Sequence, residues 1–311
     1  MNQNTEWDIK QQVREIGCQY TGATELEIKH IGGGFYGRVY RLTFGNDSRR
    51  LVAKIYGVRG LAAVEAEQLR TLKRYSRLQV PQVLAVHQAA GANQRDVLLM
   101  EYIDGCNAGE VEVEKLALTD RQTIAEEIVD NLIALHSRTT ADGFGWIGNI
   151  KSVPSWQAYY QPVAASVVDK AVELERQGLL SSQVIRVLQQ AMQRFDRIFT
   201  EMIEQPSLIH GDYNTWNIML NHEKTHAIAL IDPFHCGWAD SEFDLYQLDN
   251  ANGKDFGLLE GYLQKRGCSR LFTQKRCFFE LFTEINHYYD SGVEPDQEAV
   301  ERLAERLWRQ W

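Results

Sequence analysis

Between Leu208 and Pro233 the chain reads Leu208-Ile209-His210-Gly211-Asp212-Tyr213-Asn214-Thr215-Trp216-Asn217-Ile218-Met219-Leu220, then Ile231-Asp232-Pro233. A carboxylate and a carboxamide stand five residues apart between two short apolar runs, and a second carboxylate closes a third run. The layout suits one chemistry in particular. Asp212 can orient a hydroxyl and take its proton, while Asn217 and Asp232 offer oxygen ligands to the Mg²⁺ that carries a nucleotide's phosphates. A polar loop followed by an ordinary Asp-Pro turn would use the same letters, so elements upstream must decide.

Gly32-Gly33-Gly34-Phe35-Tyr36-Gly37-Arg38-Val39 fits G-x-G-x-x-G-x-V. In a dinucleotide-binding fold such glycines open a helix. Here Arg38 to Phe44 alternates with period two and is rich in β-formers, which predicts a strand and puts the glycines in a hairpin. A Walker loop is excluded, because Arg38-Val39 follows Gly37 where Lys and Ser or Thr are required. Gly32, Gly34 and Gly37 would let the backbone approach phosphate oxygens with no Cβ in the way, and Val39 belongs to the same nucleotide-binding set. A tight hairpin without a ligand is the plainer alternative.

Leu51-Val52-Ala53-Lys54-Ile55-Tyr56 is an apolar strand with a lysine in its middle. Such a lysine either points to solvent or is buried against a negative partner. The helix expected over 61–75 supplies two candidates, Glu65 and Glu67, nearly opposite one another on the helix. Either could hold the Lys54 ammonium toward the α- and β-phosphates, and the resemblance described below makes Glu67 the expected partner.

At 311 residues the chain is long enough for two domains or lobes. Five scattered cysteines without C-x-x-C spacing read as free thiols of a reducing compartment. The N-terminus lacks signal-peptide character and no apolar run reaches membrane-span length, so the expected localisation is cytoplasmic. His222 and His226 have metal-like spacing but no companion ligands, and read as a solvated turn. Net charge is −9 and unevenly divided: residues 1–105 hold 14 Lys and Arg against 11 Asp and Glu, the remainder 19 against 31. An acidic C-terminal part disfavours nucleic acid and anionic membranes as partners and would attract a cationic small molecule, though it serves solubility equally.

The periodicities predict a helix over 6–20, strands over 26–31, 38–44, 51–56, 80–87 and 97–102, and a hinge at Ile103-Asp104-Gly105. Helices follow, beginning at a Thr119-x-x-Gln122 capping box and continuing over 155–177 and 181–203, with three or four more toward the C-terminus. The fold class is α+β: a small antiparallel sheet lobe with one key helix (1–102), then a large, mainly helical lobe (103–311), with a cleft between them.

With these residues in view, the chain resembles the aminoglycoside phosphotransferase and fructosamine kinase superfamily, small-molecule relatives of protein kinases, over about residues 26–290. His210-Gly211-Asp212 with Asn217, Ile231-Asp232, and Gly237-Trp238-Ala239-Asp240 leading to Asp244 carry the likeness. The resemblance implies a bilobal ATP- and Mg²⁺-dependent kinase in which Asp212 is the base, Asn217 and Asp232 bind metal, and Lys54 with Glu67 positions phosphates. It also implies that the backbone from Glu101 to Ile103 holds adenine and that Asp244 braces the catalytic loop. Trp156-Gln157-Ala158-Tyr159-Tyr160 and Leu281 to Tyr289 are similar to the fructosamine kinases in particular. That makes a ketosamine the leading acceptor, ahead of an aminoglycoside or a choline-like alcohol. Glu280, Glu284 and Asp290 would meet its amine. Tyr213-Asn214-Thr215-Trp216 departs from the Leu-Trp-Ser-Gly usual in that branch.

Protein kinase activity is disfavoured. Asp232 and Asp244 are twelve residues apart, which leaves no room for a long activation segment, and Gly211 replaces the Arg of the H-R-D loop. A nucleotide-binding pseudokinase scaffold is a further alternative; such a scaffold has no need of Lys54, Asp212, Asn217 and Asp232 together.

Overall fold

The computed structural model describes residues 3–34, 36–45, 49–91, 94–148 and 153–311, and side chains of the first helix from residue 8 onward. Phe35 of the glycine motif lies outside the described residues. After α1 (Gln3–Thr21), the strands β1 (Leu26–Gly34), β2 (Gly37–Phe44), β3 (Arg49–Tyr56), β4 (Val83–His87) and β5 (Val97–Glu101) form an antiparallel sheet in the order β1-β2-β3-β5-β4.

Side chains alternate across a strand, and β3 shows what that does here. Leu51, Ala53 and Ile55 join Tyr40, Leu42, Val97 and Leu99 beneath α1, which contributes Ile9, Val13 and Ile16. Val52 and Tyr56 turn the other way, onto Ala62, Ala66, Leu69 and Leu72 of α2 (Leu61–Tyr75). Lys54 shares the parity of Val52 and Tyr56, so it is buried beside α2 at 8% exposure instead of reaching solvent.

Past the connector at Ile103 the chain is mainly helical: α3 (Leu118–His136), α4 (Trp156–Arg176), α5 (Ser182–Gln193), α6 (Phe195–Ile198), α7 (Gly253–Phe256), α8 (Leu258–Arg266), α9 (Phe272–Ser291) and α10 (Gln297–Trp308). An aromatic core that includes Trp156, Tyr160, Phe195, Phe243, Phe278 and Phe279 holds α4, α5, α9 and α10 together. Two expectations are corrected. Thr119 is not a cap: the Arg121 amide already bonds the Ala117 carbonyl at 3.0 Å, so α3 begins before Thr119 and has no side-chain cap. The helix expected over 181–203 is broken where the Arg194 amide is shared between the Gln190 and Ala191 carbonyls, each at 3.1 Å.

Two small sheets line the cleft side of this lobe. One orders β10 (Ala227–Leu230), β9 (Ile218–Leu220) and β6 (Cys106–Asn107); the other orders β7 (Gly145–Trp146), β11 (Gly237–Ala239) and β8 (Ser207–Ile209). His210 to Asn217 therefore links a strand of one sheet to a strand of the other, and Ile231 to Cys236 makes the return crossing. The short apolar runs of the sequence are these strands, and the polar residues gather where they end. No described helix is long and apolar enough to cross a membrane, and all five cysteines are free thiols.

Candidate active site

The Asp212 carboxylate accepts hydrogen bonds from Asn214 Nδ2 at Oδ1 (2.7 Å) and from Asn217 Nδ2 at Oδ2 (2.8 Å). Asn217 Nδ2 also donates to the Asp212 carbonyl at 2.8 Å. The amide nitrogen is thus committed to the loop, which leaves Oδ1 as the ligand-type atom of the carboxamide. Burial, and then the charge of Asp232, push the Asp212 carboxyl up to about 7, against the pull of its two amide donors. That value lies near neutrality, where a general base is most effective.

The loop is fixed from below by Asp244, which is fully buried. Its Oδ2 accepts from the His210 amide (2.9 Å) and its Oδ1 from the Gly211 amide (2.7 Å), while His136 Nε2 lies 3.1 Å from Oδ2. Tyr262 OH stands 2.7 Å from His136 Nδ1, so the network makes Nδ1 the acceptor and Nε2–H the donor toward Asp244. His210 bridges the two loops in the same manner, taking the Asp212 amide at Nδ1 (3.3 Å) and donating Nε2–H to the Ile231 carbonyl (3.1 Å). Burial lowers the pKa of both histidines, in keeping with neutral rings. Gly211 is required here: its φ is +82°, and a Cβ would stand 1.9 Å from the Phe234 carbonyl oxygen.

Across the cleft, Lys54 Nζ is 2.7 Å from Glu65 Oε2 and makes an ion pair with Asp232 as well. Tyr56 OH donates to the same Glu65 oxygen at 2.8 Å. Burial works against the Lys54 charge, but the two carboxylates outweigh it and raise its pKa; burial raises Glu65 in turn, tempered by Lys54. The expected partner, Glu67, is corrected to Glu65. Glu67 faces outward and meets Arg70 at 3.8 Å, because it lies off the Ala62-Ala66-Leu69 face that packs against the sheet. Glu65, three residues after Ala62 and four before Leu69, lies on that face.

The remaining candidates surround Lys54. Val39 pairs with it in the β2–β3 register, and Gly34 pairs with Gly37 at the turn of the hairpin. A Cβ at Gly32 or Gly34 would meet nothing within 4 Å, whereas one at Gly37 would stand 2.6 Å from the Ile55 carbonyl oxygen. Gly32 and Gly34 thus leave open space for a ligand, and Gly37 is needed for strand packing. The Glu101 amide is spent on the Gln82 carbonyl (2.9 Å), so that residue has only its carbonyl to offer a base, with Ile103 next along the connector. Among the described residues no group of three or more His, Cys, Asp or Glu could hold a metal ion. Asn217 and Asp232 suit a different arrangement, in which one or two protein oxygens and the phosphates share a hard cation. His222 and His226 are engaged elsewhere, near Asp104 (3.2 Å) and Glu127 (2.7 Å).

Four residues that the sequence alone does not single out stack in pairs around the loop after Asp232. Tyr36, at the tip of the glycine hairpin, stacks on Phe234 with ring centroids 5.1 Å apart, and His235 stacks on Trp146 at 5.4 Å. Of the acids expected to meet an amine, Glu280 is taken by Arg306 through two hydrogen bonds (2.8 and 3.2 Å). Asp290 is held by Lys170 at 2.5 Å. The charge argument for a strongly cationic acceptor is weakened accordingly.

A sheet lobe and a helical lobe, joined at one connector and meeting at Lys54, Asp212 and Asp232, define a kinase-like phosphotransferase. The chain belongs to the phosphotransferase enzyme family, whose model matches residues 27–276. It is 25% identical over 247 residues to the uncharacterized protein YcbJ of Escherichia coli K12 (78% of this chain, 80% of that one). It is 23% identical over 299 residues to a Klebsiella aerogenes protein described as a probable ketoamine kinase (93% and 96%). In structure it is similar to a Haemophilus somnus 129PT protein assigned as a fructosamine-3-kinase, with TM-score 0.70, 15% identity, and 95% and 96% of the two chains covered. At that identity the structural likeness is one of fold.

Proposed function

We propose that this phosphotransferase is an ATP- and Mg²⁺-dependent small-molecule kinase that passes the γ-phosphoryl group to a substrate hydroxyl, with a ketosamine as the leading acceptor class. The observation that carries the reading is the Asp212 carboxylate, held by two amide donors and poised near neutrality, in the same cleft as Lys54 and Asp232. Asp212 would orient the acceptor hydroxyl and accept its proton. Lys54, kept charged by Glu65, would leave its ion pair with Asp232 for the α- and β-phosphates, and the open backbone at Gly32 and Gly34 would cover them. Asn217 Oδ1 and Asp232 would hold the metal, which when bound neutralises charge on the β- and γ-phosphates. The connector from Glu101 to Ile103 would receive the adenine. Catalysis would come mainly from positioning, since a loose phosphoryl transition state leaves the protein little covalent work.

The ketosamine choice is supported by the Klebsiella relative, which is matched over nearly its whole length. With Glu280 and Asp290 each paired to a basic residue, an acceptor with many hydroxyls and few charges suits the cleft better than a polycation. Asp212→Asn should abolish phosphoryl transfer while leaving nucleotide affinity within about threefold of wild type, because the base touches acceptor and not phosphate. Asp232→Ala should instead lose metal-dependent nucleotide binding. Wild-type turnover by Asp212→Asn, in an assay of ADP release with product mass, would remove Asp212 from the reaction.

A further inference from the structure

The loop that follows Asp232 carries the middle of a short ladder of rings that runs from the glycine hairpin to β7. Tyr36 stacks on Phe234 at 5.1 Å with 21° between planes; Phe234 adjoins His235 at 4.2 Å; His235 stacks on Trp146 at 5.4 Å and 20°. Two polar atoms on this ladder, the Tyr36 hydroxyl and His235 Nδ1, are buried and have no hydrogen-bond partner. Buried polar atoms are nearly always satisfied, so two orphans on one ring ladder call for a partner that the chain does not supply. His235 is held with φ +57°, a left-handed conformation that costs a non-glycine residue conformational energy. Burial keeps its ring neutral, with a pKa lowered to about 4, so it offers a hydrogen bond and not a charge. Lys170 and Asp290, whose charges reach His235, pair with each other at 2.5 Å and leave the surroundings balanced.

We propose that Phe234 and His235 form the platform on which the acceptor lies, and that His235 Nδ1 and the Tyr36 hydroxyl hydrogen-bond to hydroxyl groups of an uncharged polyol segment. The proposal rests on the kinase reading above and deepens it by naming the side chains that select the acceptor. The platform belongs to the loop that carries Asp232, so a polyol laid on it would bring one of its hydroxyls near the transferring phosphoryl group. Tyr36 comes from the glycine hairpin, so acceptor and nucleotide would share one closing element.

The test uses the whole protein with Mg-ATP and fructosyl-lysine as the probe, with kanamycin and choline as comparison acceptors. Tyr36→Phe keeps the ring and removes only the hydroxyl; His235→Phe keeps a ring and removes Nδ1. Each should raise the fructosyl-lysine KM by about tenfold, the loss of one hydrogen bond, with the ATP KM within about twofold. His235→Asn, which retains a polar δ atom and tolerates positive φ, should recover part of that loss. An unchanged acceptor KM in both phenylalanine variants of an active enzyme would overturn the subsite and leave the kinase reading standing. Should wild type phosphorylate none of the three compounds, the ketosamine reading falls first, and the subsite is then judged by the ring-nitrogen NMR shift of His235 on adding fructosyl-lysine. A shift lost in Tyr36→Phe supports the subsite, and no shift removes it.

Discussion

Among the described residues two lysines are buried against two carboxylates each, and only one of them belongs to the cleft. Lys275, on α9, lies 2.5 Å from Asp240 and 2.6 Å from Glu242, and all three side chains are less than 10% exposed. Glu242 also accepts from the Ser269 amide and hydroxyl, so the cluster is closed. Lys54 is as deeply buried and pairs as tightly with Glu65, but its other partner, Asp232, is 53% exposed. A buried ion pair by itself therefore says nothing about function. What marks Lys54 is that one of its two counter-charges is half exposed, as the proposed exchange of lysine for a metal ion requires, whereas both partners of Lys275 are sealed in.

The comparison breaks most easily at the closed cluster. Lys275→Met should leave two carboxylates buried without compensation and cost about 3–5 kcal/mol, or on the order of 10 °C in Tm for a chain of this size. Lys54→Met should keep its fold far better, because Asp232 reaches water and the raised pKa of Glu65 lets that carboxyl take up a proton. Its kcat/KM should nonetheless fall by more than about tenfold. Thermal melts showing Lys54→Met as the less stable of the two would invert the comparison.

The pH dependence sharpens the open site. Asp212 must be ionised to act as a base, so kcat/KM should drop about tenfold per pH unit below a limb near 7, the position its burial and Asp232 set. A flat profile between pH 6 and 8 would argue against it. Stability runs in the opposite sense. A carboxyl with a raised folded-state pKa holds its proton after the unfolded chain has lost one, so its folded state loses stability as pH climbs from about 4 toward 7. Asp212→Asn should therefore melt higher than wild type at pH 8. The smallest expected effects separate the two glutamates of α2: Glu65→Gln should lower kcat/KM by about tenfold, and Glu67→Ala should stay within about twofold of wild type.

That last pair shows how far the sequence could be read. The bounds of α2 follow from its apolar spacing, and β3 from its β-formers, because both elements bury one face against the same core. Choosing Glu65 needed only the same helical face that located α2. Its position between Ala62 and Leu69 carried the answer, and likeness to a family pattern pointed two residues too far. Asp212, Asn217 and Asp232 were legible because they lie close in sequence at the ends of apolar runs. His136 under Asp244 was not, since 108 residues separate them, and neither was the pairing of Glu280 with Arg306, which depends on how α9 packs on α10. Tyr36 and His235 leave no periodic signal at all; only folding brings the glycine hairpin onto the loop after Asp232.

Gly211 carries one more consequence. Where protein kinases have an arginine that can grip a phosphate on the activation loop, this chain has a residue with no side chain, and the Phe234 carbonyl occupies the space a side chain would need. With Asp244 only twelve residues beyond Asp232, an order-to-disorder switch driven by phosphorylation has neither a receptor nor a segment to act on. The Gly211 loop is held by Asp244 and by His210, with no modified residue among its contacts. The kinase proposed above would then call for no prior modification of this loop before it could act.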